Sequence, residues 1–230
     1  MKAMKRANTL VVAVALALGT GAAQAGIVNG GFETGDLTGW TDLAGANSNV
    51  VTSNSTTYFG PATYLPYSGD YFLAISSAAA DVWQEVKQNV ALGAGESISG
   101  AAAFDWGDYI TSITDPAFFE DGAKVEVHNS AGGVVATPFY MDGTMAPGCA
   151  DGCPFGDPDS GYNGPWTLWS FTAAAADTYT LVYAAKNTGD GGGPNQTFGY
   201  FDTVPEPGSL ALLGLGLAGL AASRRRKQQQ

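Results

Sequence analysis

Apolar and polar residues alternate in short stretches along the middle of the chain. In the stretch 81–90, Val82, Val86 and Val90 fall on one face, and residues 123–128 repeat this pattern. A period of two residues predicts strands that bury one face. By the same pattern we predict further strands at 26–32, 48–53, 71–75, 97–106, 133–139, 166–171, 178–185 and 197–203.

Clusters of glycine, aspartate, asparagine and proline separate these stretches. Short strands at such spacing are typical of antiparallel sandwiches, and no segment within residues 26–203 has a convincing helical period. About 180 residues are enough for one domain with a sizeable core. We therefore predict an all-β fold, an antiparallel β-sandwich that forms a single domain over residues 26–203.

The first 25 residues have the three parts of a secretory signal peptide. A basic start is followed by an apolar core at 10–18 and by the small residues Ala23 and Ala25. This order predicts export, with cleavage by signal peptidase before Gly26.

The C-terminal end has its own ordered signal. The motif Val204, Pro205, Glu206, Pro207 leads into a span without charges at 208–223, and a basic tail follows at 224–230. The span is slightly shorter than the roughly 20 residues that cross a bilayer, which predicts a weakly held transmembrane helix. The basic tail would remain cytoplasmic, so the preceding domain would lie outside.

This order of parts resembles the PEP-CTERM sorting signal of exported bacterial proteins. The resemblance implies that an exosortase-type membrane protease recognises residues 204–230. It also implies a destination at the cell surface or in an extracellular polysaccharide matrix. The alternative is an ordinary C-terminal membrane anchor that is not processed.

A second resemblance covers only the two ends of the predicted domain. The segment from Val28 to Trp40, with the run Asn-Gly-Gly-Phe-Glu, resembles the opening strand and turn of galactose-binding-like jelly rolls, a fold of carbohydrate-binding modules. Residues 201–204, Phe-Asp-Thr-Val, correspond to the last strand of that superfamily. The resemblance implies a jelly roll whose first and last strands are neighbours.

The same resemblance implies a structural calcium site. The matching ligands are Glu33 and Asp202, with the backbone near Asn29 and Gly35. Asp70 is a further candidate by position. Calcium takes six to eight oxygen ligands, which such loops can supply. Thr203 stands where the superfamily often has a second acidic or amide side chain. The alternative is that these acids are solvated turn residues.

Charge narrows the possible partners. Three of the ten basic residues and twenty of the 21 acidic residues lie between Gly26 and Val204, which gives this region a net charge of −17. Nucleic acids and anionic membrane surfaces would be repelled. Cations, basic partners and neutral polymers remain possible.

The two cysteines, Cys149 and Cys153, lie four positions apart in a segment rich in glycine, proline and aspartate. In an exported protein this spacing favours a disulfide in a small loop. Zinc is the alternative, but His128 is the only histidine, so the chain offers at most three soft ligands.

Five aromatic residues are candidate platforms for sugar rings: Trp83, Trp106, Tyr109, Trp166 and Trp169. Trp106 and Tyr109 are the best placed, because acidic neighbours predict a solvent-facing turn at 105–109. We therefore expect a noncatalytic exported protein that binds or packs with extracellular carbohydrate. The alternative is an exported glycan-active hydrolase, which would need two carboxylates in a cleft, one with a raised pKa.

Overall fold

The structure is a computed structural model that describes residues 26–56, 62–76, 81–106, 121–145, 162–188 and 197–203. Within these ranges it contains strands, two short 3₁₀ helices (Gly45–Asn47 and Gly143–Met145) and no α-helix. The strands are β1 (Thr41–Asp42), β2 (Ser48–Val51), β3 (Asn54–Thr56), β4 (Ala62–Tyr64), β5 (Phe72–Ser76), β6 (Gln84–Leu92), β7 (Ser97–Trp106), β8 (Gly122–His128), β9 (Val134–Asp142), β10 (Tyr162–Asn163), β11 (Thr167–Thr172), β12 (Asp177–Lys186) and β13 (Phe198–Asp202).

The strands form two layers and one small hairpin. The first sheet has the order β1-β6-β12-β8-β9, and the second has the order β10-β7-β13-β5-β2, with β11 also paired to β7. The hairpin consists of β3 and β4. Every pairing is antiparallel, and from β5 to β8 the chain changes sheet at each strand. The predicted all-β antiparallel sandwich is confirmed.

Most predicted strands are present, with ends that differ by a few residues. The stretch 97–106 is β7 with the predicted bounds, and 178–185 is the centre of β12. The predicted strand at 26–32 is wrong, because these residues form turns. Asn29 and Phe32 have φ angles of 50° and 57°, a left-handed conformation that interrupts an extended chain.

The main core lies between the inner faces of the two sheets. Tyr183 of β12 stacks on Phe201 of β13, with ring centroids 4.6 Å apart and planes 10° apart, so this pair joins the sheets. Trp40 of the N-terminal segment stacks on Tyr183 at 5.1 Å. Phe32 stacks on Trp40 at 5.3 Å. The N-terminal segment is therefore held against the last strand by a continuous row of rings.

A second apolar cluster covers the outer face of the second sheet. It contains the buried rings of Tyr64, Phe72 and Tyr200, with Trp166 and Phe198 packed against them. Tyr64 comes from the β3–β4 hairpin, and its ring centroid is 4.2 Å from that of Tyr200. Both faces of β13 are consequently buried.

In the described ranges, no helix is both long enough and apolar enough to cross a membrane. The predicted signal peptide at 1–25 and the predicted span at 208–223 lie outside these ranges.

Replacing Tyr183 tests the row of rings. Tyr183→Ala should lower the free energy of unfolding by about 3–5 kcal/mol, because it leaves a cavity between the two sheets. Tyr183→Phe keeps the stack and loses only the hydroxyl contact to Thr203, so a loss of about 1 kcal/mol is expected. Urea denaturation followed by fluorescence measures both. Tyr140→Ala, at a 41% exposed tyrosine, is the control. Equal effects at positions 183 and 140 would contradict the role assigned to the stack.

Candidate functional site

Glu33 and Asp202 meet at one end of the sandwich, as the resemblance implied. Asp202 is the last residue of β13, and Glu33 lies in the N-terminal turn directly after Phe32. The stacking of Phe32, Trp40, Tyr183 and Phe201 fixes these two segments side by side. We call the two carboxylates and the backbone around them the acidic cradle.

Backbone N–H groups of the loop 65–71 hold both carboxylates. Ser68 donates its N–H to Oδ2 of Asp202 at 2.9 Å. Asp70 donates its N–H to the two carboxylate oxygens of Glu33 at 3.0 and 3.1 Å, and Tyr71 donates to Oε1 at 3.2 Å. The other oxygen of Asp202, Oδ1, is buried and has no hydrogen-bond partner.

Asp202 is completely buried, and this dominates its electrostatics. The pKa of Asp202 is raised to about 7, mainly by burial and to a lesser extent by the negative charge of Glu33, while the Ser68 N–H opposes the shift. Without a counter-charge, the two carboxylates therefore destabilise each other at neutral pH.

One glycine makes the cradle possible, and a second lies beside it. A side chain at Gly69, where φ is +72°, would overlap the carboxylate of Glu33. At Gly31, a Cβ would lie 3.6 Å from Oδ1 of Asp202 and 3.7 Å from Cγ of Glu33. Gly69 therefore lets the loop approach Glu33 closely, and Gly31 lies beside both acids.

The donor set of the cradle fits calcium. It consists of two carboxylates, and Oδ1 of Asp202 is a buried oxygen without a hydrogen-bond partner. Ca²⁺ binds carboxylate oxygens readily. Glu33 and Asp202 would be the protein's charged ligands. The described residues contain no cluster of three or more His, Cys, Asp or Glu side chains that could hold a metal. Backbone carbonyls and water would have to complete the coordination.

The other residues predicted for this site have different places. Asp70 contributes its N–H to Glu33, while the residue itself is exposed. Thr203 is buried, and its hydroxyl pairs with that of Tyr183 at 3.3 Å. The Asn29 side chain accepts the Thr34 N–H and donates to the carbonyl of Asp36, so it shapes the turn that carries Glu33.

An open groove of about 560 Å³ borders the cradle. Its walls come mainly from the same loop, and its lining residues are Thr52, Leu65, Pro66, Gly69, Asp70 and Tyr71. Two more aromatic residues belong to this region, Tyr67 in the loop itself and Trp166 beside it. Tyr67 is 41% exposed and packs edge-on against Trp166 at 6.2 Å, and Trp166 Nε1 donates to the carbonyl of Leu65 at 3.0 Å.

The prediction that Trp106 is a solvent-facing sugar platform is wrong. Trp106 is 1% exposed, because it occupies an inward position at the end of β7. Its acidic neighbour Asp105 is also buried and accepts a hydrogen bond from the Tyr200 hydroxyl at 3.1 Å. Asp105 therefore belongs to the packed cluster on the outer face of the second sheet and does not lie in a solvent-exposed turn.

The sequence indicated Trp166 as one of five candidate platforms, ranked behind Trp106 and Tyr109, and did not indicate Tyr67. The available signal was the position of Tyr67 in a Leu-Pro-Tyr-Ser-Gly-Asp loop, which is a strong turn sequence between strands. Trp166 directly follows Gly164 and Pro165, so it also begins beside a turn. Its distance from Tyr67 in the sequence hid the pairing of the two rings.

The only histidine of the chain is part of a group of charged side chains. His128 lies on the outer face of β8 and contacts Glu126 at 3.0 Å, and Glu126 also pairs with Lys124 at 2.8 Å.

The remaining predicted site residues lie outside the described ranges. They are Ala23, Ala25, Tyr109, Cys149, Cys153, Val204, Pro205, Glu206 and Pro207.

Comparison with known proteins identifies the C-terminal segment. Residues 203–227 match the model of the PEP-CTERM protein-sorting motif. This confirms the resemblance drawn from the Pro-Glu-Pro motif, the apolar span and the basic tail. A search among curated proteins gave no match.

Several solved structures are similar to the chain at low sequence identity. TmCBM61, solved with beta-1,4-galactotriose, is 14% identical with a TM-score of 0.42, covering 78% of this chain and 95% of that one. The CBM22-2 xylan-binding domain of Paenibacillus barcinonensis Xyn10C is 13% identical with a TM-score of 0.37, covering 76% and 95%. The K3 cleaved adhesin domain of Lys-gingipain from Porphyromonas gingivalis is 13% identical with a TM-score of 0.39, covering 77% and 96%.

Similarities at this level say nothing about ligand or activity. The sequence match concerns the C-terminal segment, and the architecture comes from the strands themselves. The chain therefore combines an all-β antiparallel sandwich with a PEP-CTERM protein-sorting motif at residues 203–227.

Proposed function

We propose that this protein is exported, sorted to the cell surface by an exosortase-type protease, and binds neutral extracellular polysaccharide without catalysis. The observation that carries the binding proposal is the exposed ring of Tyr67, which lies in the loop that forms the groove wall and packs edge-on against the half-buried Trp166. The sorting motif at residues 203–227 supports the proposed destination.

The groove has the chemistry that sugar rings require. Aromatic faces pack against the apolar faces of pyranose rings, and polar side chains nearby bond the hydroxyl groups. Tyr71 supplies a ring to the groove lining, and Thr52 and Asp70 supply polar side chains. Tyr67 adds an exposed ring in the same loop. Since residues 26–204 carry a net charge of −17, a neutral chain is favoured over an anionic one.

The acidic cradle supports a structural calcium ion beside the groove. When bound, calcium would neutralise the charges of Glu33 in the N-terminal turn and of Asp202 at the end of β13. Loop 65–71 holds both carboxylates through its N–H groups and also forms the groove wall, so calcium and polysaccharide binding would be linked. This arrangement assigns calcium a supporting role and no reaction.

The geometry of the cradle disfavours the hydrolase alternative. Asp202 has the raised pKa expected of a catalytic acid, but it is completely buried. A general acid must come within hydrogen-bond distance of the glycosidic oxygen. Asp202 could not do so without displacement of the loop at Ser68.

Alanine replacement of the sorting motif tests the proposed destination. In a host with an exosortase-type system, the triple variant Pro205→Ala, Glu206→Ala, Pro207→Ala should stay in the membrane fraction at its longer, unprocessed length. Its parent should be shortened and reach the surface or medium. Cell fractionation with mass determination measures both. Pro165→Ala is the control for loss of a proline, and equal processing of the triple variant would contradict the proposal.

The raised pKa of Asp202 predicts how stability depends on pH when calcium is chelated. The unfolded chain loses this proton near pH 3.8 and the folded chain near pH 7, so the folded state loses stability as the pH rises between them. The decrease should reach up to about 4 kcal/mol. Urea denaturation at pH 5, 6.5 and 8 measures the slope, and Asp202→Asn should remove it.

Calcium should restore stability at pH 8, because it binds the deprotonated pair. Glu33→Gln should weaken this restoration. Asp36→Asn is the control. Hydrogen bonds from Thr34 and Thr38 lower the pKa of Asp36, so this carboxylate does not change its charge over the pH range of the experiment. If calcium leaves the slope and the stability at pH 8 unchanged, the cradle does not bind calcium.

Polysaccharide binding is tested with the full-length chain in mild detergent. Isothermal titration against galactan, xylan and an anionic alginate should give saturable binding to a neutral polymer. Tyr67→Ala should weaken that binding about 5- to 10-fold, as expected for the loss of one stacked ring. Tyr140→Ala is the matched control, because Tyr140 is also 41% exposed but lies on β9 of the other sheet.

Two results would overturn the binding proposal. One is the absence of saturable binding to any neutral polymer with calcium present. The other is an equal loss of affinity in the Tyr67→Ala and Tyr140→Ala variants, which would place the ligand away from the groove.

A further inference from the structure

A second buried polar cluster lies at the opposite end of the sandwich. It consists of Asp121 directly before β8, Asn187 and Thr188 directly after β12, and Thr197 directly before β13. All four residues are at most 6% exposed. Strand β13 begins beside this cluster and ends at Asp202 in the acidic cradle. The length of this strand therefore separates the two sites.

The strand register places Asp121 and Asn187 side by side. Lys186 is paired with Gly122, and the next position of the ladder brings Asn187 opposite Asp121. Ala185 and Ala123, two positions away on the same strands, belong to the core between the sheets. Because side chains alternate along a strand, Asp121 and Asn187 also point inward.

The carboxylate of Asp121 connects both sheets. One oxygen accepts the Thr188 N–H at 2.5 Å, and the other accepts the Thr197 hydroxyl at 2.5 Å. Thr197 adjoins a strand of the second sheet, whereas Asp121 and Thr188 adjoin strands of the first. The backbone carbonyl of Asp121 accepts the Gly143 N–H at 3.1 Å, so its main chain is fixed as well.

Beside this carboxylate, three buried side-chain atoms have no hydrogen-bond partner. They are Nδ2 and Oδ1 of Asn187, which is 0% exposed, and Oγ1 of Thr188. The Asn187 carbonyl accepts the Asp81 N–H at 2.8 Å, which fixes the backbone of this residue. Buried polar atoms in folded proteins almost always have a partner, so these atoms point to a small bound species.

We propose that this cluster binds a calcium ion, independently of the acidic cradle. Asp121, Asn187 Oδ1 and Thr188 Oγ1 offer a carboxylate, an amide carbonyl and a hydroxyl, all hard oxygen ligands. A buried water molecule would satisfy the same amide, and the experiment below distinguishes it from an ion. Through Asp121, the ion would connect the start of β8 and the end of β12 with the start of β13.

Calcium binding to the full-length chain in mild detergent tests the proposal. The background variant carries Glu33→Gln and Asp202→Asn, so that the cradle does not contribute. Equilibrium dialysis against radioactive calcium at millimolar concentration should still show one bound ion per chain. Adding Asn187→Leu or Thr188→Val should weaken this binding at least about 10-fold, because each removes one oxygen ligand.

Asn49→Leu is the matched control, because it makes the same chemical change as Asn187→Leu at an exposed position of β2. It should leave calcium binding unchanged. Thr188→Val preserves the shape of the residue, so it decides the outcome if Asn187→Leu does not fold. Thermal unfolding gives a second readout, in which calcium should raise the Tm of the background variant but not that of the variants at 187 and 188.

Two results would overturn the proposal. The background variant could bind no calcium, in which case every bound ion belongs to the cradle. Alternatively, Thr188→Val could bind calcium as tightly as its background, which would assign the cluster to buried water. Neither result depends on whether the groove binds polysaccharide.

Discussion

The stack of Tyr183 on Phe201 is the contact on which the candidate site depends. It joins the two sheets at a ring separation of 4.6 Å, and Trp40 packs on the same tyrosine. Phe32 then packs on Trp40. Since Glu33 follows Phe32 and Asp202 follows Phe201, hydrophobic packing brings together two carboxylates that would otherwise repel each other. The apolar core thus supplies the free energy that holds an unfavourable charge arrangement in place.

The strained turn before Glu33 belongs to the same arrangement. Phe32 is completely buried at a φ of 57°, a conformation that costs free energy in a residue with a large side chain. The hydrogen bonds from Phe32 to Asn29 and from Gly35 to Phe32 close the turn. An extended chain at this point would place Phe32 and Glu33 on opposite faces and could not continue into the turn. The strain is offset by burial of the ring and directs the carboxylate toward Asp202.

Periodicity predicted the inner layer of the fold well, because Val86, Val125 and Val127 alternate with polar neighbours. It failed where both faces of a strand are buried. The outer face of the second sheet is covered by the β3–β4 hairpin, whose short, polar sequence gave no sign of this packing. For that reason Asp105, which faces this outer layer, looked solvent-facing, and its neighbour Trp106 was assigned to the same turn although it belongs to the main core. The failed strand at 26–32 has another cause, since positive φ angles at Asn29 and Phe32 cannot be read from alternation.

The candidate site was predictable only in part, and loop 65–71 explains why. The two acids came from a resemblance at the chain ends, whereas the groove arises from a loop that lies between them in sequence. This loop donates N–H groups from Ser68, Asp70 and Tyr71 to the carboxylates and also forms the groove wall. A cation that fixes the carboxylates would therefore also restrict the groove. Because coupling between binding sites is reciprocal, a polysaccharide that orders the same loop would in turn strengthen cation binding.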